Sequence, residues 1–260
     1  LNNLSRYYSE NRDLPDALFV VMVPTHSAGV PLRQARGPQP AAHRRRPRRR
    51  IPHPDMAGPA AIAPPPKVTP GSQSDGIAAA CCDRWADGSG RIALLHLRQD
   101  GTVERIGHDA LRAASLRFAQ VLRAQGIGRG GRVAILLPQG PEALVALLAA
   151  QRIGAIAVLP GAASGPAALA GRLRASGSAA LVTDEAGLAL LAREALPALR
   201  HVFCVFRADR PEGGPTCFWT AIAQAPQDAP GPMPDPRAPG LLLHAADATG
   251  HVHGVLHAQR

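Results

Sequence analysis

From residue 76 onward, short apolar runs alternate with segments of helical periodicity, and that alternation restricts the fold more than any other feature. Leu111, Ser115, Phe118, Ala119 and Leu122 recur at helical spacing, and Gly126 follows as a stop. Val133–Leu137 is an apolar run ended by Pro138, the pattern of a buried strand. Pro141 opens a second helix through Ile153, closed by Gly154. The same reasoning predicts strands over Ala155–Leu159, Ala180–Thr183, His201–Phe206 and Gly240–His244. Helices are predicted over Pro166–Ala175 (with Gly177 as the stop), Glu185–Ala195 and Phe218–Gln224, and the Pro-rich residues 226–239 read as a connecting loop. Strands separated by helices of about ten residues call for βαβ crossovers, so the expected fold is α/β, a mostly parallel sheet with flanking helices.

The first 75 residues have a different texture. Prolines at 31, 38, 40, 47, 52, 54, 59, 64, 65, 66 and 70 remove backbone donors and fix φ, and large apolar residues are scarce. Such a segment cannot offset its ordering entropy, so 1–75 is expected to be a disordered Pro/Arg-rich tail, with marginal structure at most at 14–23. The globular part is then 76–260. The tail holds 11 Lys and Arg against 5 Asp and Glu, and the rest 18 against 14, so more than half of the net charge of +10 belongs to the tail. Its run His43-Arg44-Arg45-Arg46-Pro47-Arg48-Arg49-Arg50 offers a patch for nucleic acid or another anionic partner. No aromatics are interleaved to stack on bases, and the plainer reading is a solvated low-complexity run. The chain begins with Leu1, and Met56 offers an alternative start that deletes the run, so the expectation is a fragment or a mis-assigned start.

Four cysteines in 260 residues do not make a disulfide framework, and Cys81 and Cys82 are adjacent. No stretch reaches 18 uninterrupted apolar residues, which excludes a helical membrane span. Both points favour a reducing, cytoplasmic location. The 28 arginines against the single Lys67 reflect coding bias rather than packing.

Two glycine-bearing segments deserve comparison. Gly126-Ile127-Gly128-Arg129-Gly130-Gly131 has the spacing of a dinucleotide fingerprint, but it follows a predicted helix and precedes a strand, the reverse of the order that chemistry needs. It reads as a turn. Residues 241–260 run from a predicted strand into a small-residue loop bracketed by Gly250 and Gly254, a form in which backbone N–H groups can approach phosphates. His244, His251, His253 and His257 have metal-ligand spacings. No cysteine is near and Asp247 is the one carboxylate of the segment, so no metal site is assigned.

The last segment, Leu241 to Arg260, resembles the phosphate-binding loop of the adenylate-forming AMP-dependent synthetases and ligases, whose pattern is approximately Y-T-S-G-T-T-G-x-P-K-G. The upstream chain is similar too. Cys81-Cys82-Asp83-Arg84-Trp85-Ala86 looks like the start of an acetyl-CoA-synthetase-like domain. So do Arg117–Ile127, Gly131–Pro138, Pro141-Glu142-Ala143, Arg152-Ile153-Gly154-Ala155 and Leu173–Gly177. The resemblance covers about 76–260 and implies the first part of the N-terminal domain of an adenylate-forming enzyme. It implies a two-step acid–CoA ligation, in which a short-chain acid such as acetate attacks the α-phosphate of Mg·ATP to give an acyl-adenylate and pyrophosphate, and CoA then displaces AMP. ATP, Mg and the co-substrate CoA are thus implied by family.

The departures are as informative. His244 stands for the family's Tyr, Ala245 for Thr, Ala246 for Ser, Asp247 for Gly and Ala248 for Thr. Thr249, Gly250 and Gly254 match, His251 holds the variable position, Val252 replaces Pro and His253 replaces the Lys. Thr249, Gly250, His253 and Gly254 are therefore the candidate phosphate-loop residues, with three hydroxyls lost, a carboxylate added and an ammonium exchanged for an imidazole. The family's later segments and its catalytic lysine have no counterpart here, so no catalytic residue is assigned. The resulting expectation is a truncated, inactive acyl-CoA synthetase that binds ATP poorly, completed if at all by a second polypeptide carrying the C-terminal half. The alternative is a non-catalytic module that binds an anionic partner through 43–50, with nucleic acid the less favoured choice.

Overall fold

The computed structural model describes residues 19–21, 76–98, 101–161, 165–206, 214–226, 234–246 and 252–259. The basic run 43–50, Met56 and nearly all of the predicted tail lie outside these residues. So does the apex of the predicted phosphate loop, 247–251. Within the tail, Phe19–Val21 forms strand β1, inside the 14–23 segment.

In chain order β1 is followed by helix α1 (Ile77–Cys81), a single 3-10 turn (Asp83–Trp85), β2 (Ile92–Leu97), β3 (Val103–Gly107), α2 (His108–Ala124), β4 (Arg132–Leu136) and α3 (Pro141–Arg152). Then come β5 (Ile156–Leu159), α4 (Pro166–Ser176), β6 (Ala180–Asp184), α5 (Glu185–Leu191), β7 (His201–Val205), β8 (Thr216–Cys217), α6 (Phe218–Gln224), β9 (Pro239–Ala246) and β10 (Val252–Ala258). A small sheet has the order β1-β2-β3, with β1 parallel to β2 and β2 antiparallel to β3. The main sheet has seven strands in the order β10-β9-β5-β4-β6-β7-β8. Every pair in it is parallel except β10–β9. The α/β class and the mostly parallel sheet follow the sequence reading.

The connections explain where a site can form. The chain steps from β4 outward to β5 through α3, then crosses back over β4 to β6 and moves outward to β7 and β8. That reversal puts a topological switch point at the carboxyl ends of β4 and β6, the usual ligand position in open α/β sheets. The sheet is covered unequally. One face packs on α2, α3 and α6 in a cluster containing Leu111, Phe118, Leu122, Val145, Leu148, Phe218 and Trp219. The other packs on α4 and α5 through Leu169, Leu173 and Leu191.

Three departures from the sequence reading have local causes. Helix α5 ends at Leu191, not Ala195, because the chain turns there (Glu194 N–H to the Leu191 carbonyl, 3.0 Å) and Leu196 and Leu199 pack on the β4–β6 face. The β2–β3 hairpin was not anticipated, although Asp100-Gly101 is a hairpin signal; Arg98 N–H donates to Thr102 O at 2.8 Å, and Gly101 takes φ +83°. Finally, β9 extends to Ala246 and returns as β10, so Gly254 lies in a strand and not in a loop. It pairs with His244, and a Cβ there would sit 3.2 Å from Leu242 Cδ1.

Candidate functional site

The β9–β10 hairpin carries the candidate site. Strand β9 runs parallel to β5, with Ala157, Val158 and Leu159 opposite Leu241, Leu242 and Leu243, and continues to Ala246, past the carboxyl end of β5. Its base is fastened. Gln151, fully buried at the end of α3, donates from Nε2 to Gly240 O at 2.6 Å. Gly240 is required there, because a Cβ would overlap Gln259 Cγ and lie 2.5 Å from Gln151 Oε1. Gln259 N–H donates to Ala238 O and its carbonyl accepts from Ile77 N–H, each at 3.0 Å.

Of the four candidate residues, Thr249 and Gly250 lie outside the described residues. His253 and Gly254 are exposed on β10, opposite Ala245 and His244. Being neighbours on a strand, they face opposite sides. His244 is half-buried, its Nδ1 3.4 Å from Leu159 O at the carboxyl end of β5. The chain's single lysine, Lys67, also lies outside the described residues.

Several carboxylates lie near the carboxyl ends of β4 and β6. Asp184 caps α5 by accepting from Gly187 N–H at 2.8 Å, and Glu185 follows it. Beyond β4, Glu142 and His96 approach Gly140: a Cβ there would lie 3.4 Å from Glu142 Oε2 and 3.8 Å from His96 Nε2. Glu104 Oε2 holds Arg98 Nη2 at 2.6 Å and lies 3.5 Å from His96 Nδ1. A triphosphate requires fixed cations and donors. The described flanks of the hairpin supply imidazoles, a methyl group and a glycine. Among the described residues no three His, Cys, Asp or Glu side chains gather into a metal cluster, and no helix is long and apolar enough to cross a membrane.

The turn at Gly126–Gly131 is held by hydrogen bonds to its own chain. Gly131 N–H donates to Gly128 O at 2.9 Å, Gly130 N–H to Gly154 O at 2.8 Å, and Gly131 O accepts from Ile156 N–H at 2.7 Å. Gly126 and Gly130 both take φ +74°. It is a turn at the amino edge of the sheet. Sequence reasoning missed one buried polar centre. Arg152, 1% exposed, donates from Nη2 and Nη1 to the two Asp83 oxygens at 2.6 and 2.8 Å and from Nε to Ser115 Oγ at 3.0 Å.

The model of the AMP-binding enzymes matches residues 82–260. The chain belongs to this family. Among curated AMP-binding relatives, the acetyl-coenzyme A synthetase of Novosphingobium aromaticivorans is 36% identical over 199 residues, covering 70% of this chain and 31% of the relative. That of Alkalilimnicola ehrlichii is 31% identical over 198 residues, with the same coverages. The chain therefore spans about a third of the length of these relatives. A crystal structure of the Brucella canis acyl-CoA synthetase superposes with a TM-score of 0.63 at 29% identity, over 72% of this chain and 34% of that one. The N-terminal domain of FACL13 from Mycobacterium tuberculosis, at 20% identity and TM-score 0.59, covers 71% of this chain and 45% of that one and shares the fold.

Proposed function

We propose that the chain is an acyl-CoA synthetase domain whose phosphate hairpin has lost tight nucleotide binding, so that these 260 residues do not form an acyl-adenylate by themselves. The observation that carries this reading is the β9–β10 hairpin itself, in the phosphate-loop position by resemblance but with His253 in place of the lysine. Two unit charges about 4 Å apart interact by about 4 kcal/mol at an effective dielectric near 20. Asp247 within that distance of a phosphate opposes binding on that scale, less where water screens it. Exchanging the lysine for an imidazole removes an attraction of similar size. Since each 1.4 kcal/mol is about tenfold, the pair weakens ATP by orders of magnitude.

The relatives' name points to acetate or another short-chain acid as the acid of the lineage, with CoA as the acceptor. The remaining two thirds of the relatives' length, in the same or a second polypeptide, would supply the rest of an active site. The four free thiols fit a reducing compartment, the cytoplasm.

Calorimetric titration with Mg·ATP and a pyrophosphate-release assay with acetate test the proposal. Millimolar or weaker binding and no acetate-dependent pyrophosphate are expected. The double variant Asp247→Gly, His253→Lys is expected to bind at least tenfold more tightly, still without turnover. Micromolar ATP binding, or acetate-dependent release by the unmodified chain, overturns it.

A further inference from the structure

The register of the short β7–β8 ladder sets Cys204 directly opposite Cys217. Paired residues on parallel strands project to the same face of a sheet. Phe203, one residue earlier, turns to the α2–α6 face, where its ring meets Phe118 edge-on with centroids 5.2 Å apart. Cys204 therefore turns to the other face, where it shares a small cluster with Cys217, Phe206 and Leu188 of α5. Adjacent strands lie about 4.7–4.9 Å apart, inside the Cα separation of about 4.4–6.8 Å that a disulfide accepts. Both are free thiols, 0% and 3% exposed respectively.

We propose that Cys204 and Cys217 are a redox dithiol that closes to an intramolecular disulfide on meeting an oxidised low-molecular-weight disulfide such as oxidised glutathione. Access comes through β8, an edge strand of two residues whose local opening exposes Cys217 first. Burial, the neighbouring Glu185 and Asp184 carboxylates and Cys217 push the Cys204 thiol up to about 12, which makes it the poorer initial nucleophile. The Cys217 thiolate attacks one sulfur of oxidised glutathione, forming a mixed disulfide and releasing one glutathione thiolate. The Cys204 thiolate then attacks the Cys217 sulfur, forming the protein disulfide and releasing the second glutathione. Two protein thiols lose two electrons and two protons, and one glutathione disulfide becomes two glutathione thiols.

The bond acts on packing. Cys217 immediately precedes Phe218, whose ring lies 4.6 Å from that of Phe118 at the base of α6. Oxidation thus staples the α6 corner to the sheet. Loop-closure and size arguments place the rise in melting midpoint at roughly 5–10 °C.

The test uses the full chain carrying Cys81→Ser, which removes the exposed thiol. The protein is incubated natively with oxidised glutathione, its remaining thiols are alkylated, and it is digested for mass analysis. The expected result is a linked peptide pair containing Cys204 and Cys217, about 2 Da lighter than the two thiol peptides together. Cys82 remains alkylatable, and dithiothreitol reverses both the link and the rise in melting midpoint. Cys217→Ser is expected to abolish the shift, while the peptide mass is read on a protein with both cysteines present and does not depend on that variant folding. Unlinked alkylated Cys204 and Cys217, a mixed disulfide at Cys217 that never resolves, or a link from either residue to Cys82 overturns the proposal.

Discussion

The amino and carboxyl edges of the main sheet both carry glycine-bearing segments, a turn at one and the β9–β10 hairpin at the other, and the chain treats them in opposite ways. At the amino edge, the Gly126–Gly131 turn is closed by bonds from Gly131 N–H to Gly128 O, from Gly130 N–H to Gly154 O and from Ile156 N–H to Gly131 O. At the carboxyl edge the β9–β10 hairpin is fastened at its base by Gln151 and runs out along an exposed edge strand. Glycine spacing alone does not distinguish a ligand loop from a tight turn. The direction in which the strand runs through the turn does, because only the carboxyl edge of a parallel sheet opens toward ligands.

The sharpest way to test this contrast is to break the closed region. Arg152→Ala removes an almost fully buried guanidinium from Asp83 and Ser115, leaving Asp83 only the looser Arg112 pair at 3.6 Å, and should destabilise the chain by about 3 kcal/mol in urea titration. A loss below about 1 kcal/mol would place the pair among surface bridges. Next in size is Gly240→Ala, which drives a methyl group into Gln259 and Gln151 where the hairpin base meets α3. It should cost about 1–3 kcal/mol, and faster amide exchange along β9 and β10 than at β4 would show that the hairpin loosens first.

Acid gives a third test. Burial, helped by the Arg91 guanidinium and opposed by Asp109 and Asp87, pushes the His108 imidazole down to about 4. Folding keeps this base neutral, so its contribution is complete above about pH 6.5 and is lost as the pH falls toward about 4. The urea midpoint of the parent should drop through that window more than that of His108→Gln; parallel curves would remove the histidine from the account. The smallest effect is expected on the open edge. Val255 and Leu256 are 42% and 49% exposed on β10. Leu256→Lys should change stability by no more than about 0.5 kcal/mol while reducing self-association in sedimentation, since an exposed apolar edge strand invites pairing.

The sequence revealed most where one physical signal dominated. Apolar runs ended by Pro138 and Gly154 placed β4, α3 and β5 within a residue or two, because strands buried on both faces leave a period of their own. It revealed less where two signals overlapped. Val252, Val255 and Leu256 favour a strand, but the histidines and Gly254 interleaved with them read as loop, and only the partner β9 decides between the two. Arg152 could not be seen as a buried anchor, since its carboxylate lies 69 residues away and an arginine at a helix end ordinarily meets solvent. The residue types that resemble a phosphate loop, with His253 where the family has lysine, can be read from the sequence alone. Their arrangement cannot, because it depends on strand register.

The hydrogen bond from Ile77 N–H to Gln259 O has a consequence for synthesis. Translation at about 5–20 residues per second delivers Gln259 roughly 10–40 s after Ile77. For that interval α1 has no acceptor for its first amide, and the apolar side chains of β5 that later lie beside β9 await their neighbour. The docking of α1 therefore waits for the last residues of the chain, after the interior strands have emerged. Pulse-chase proteolysis on stalled ribosomes would see protection of the β4–β6 region arrive before that of residues 77–81.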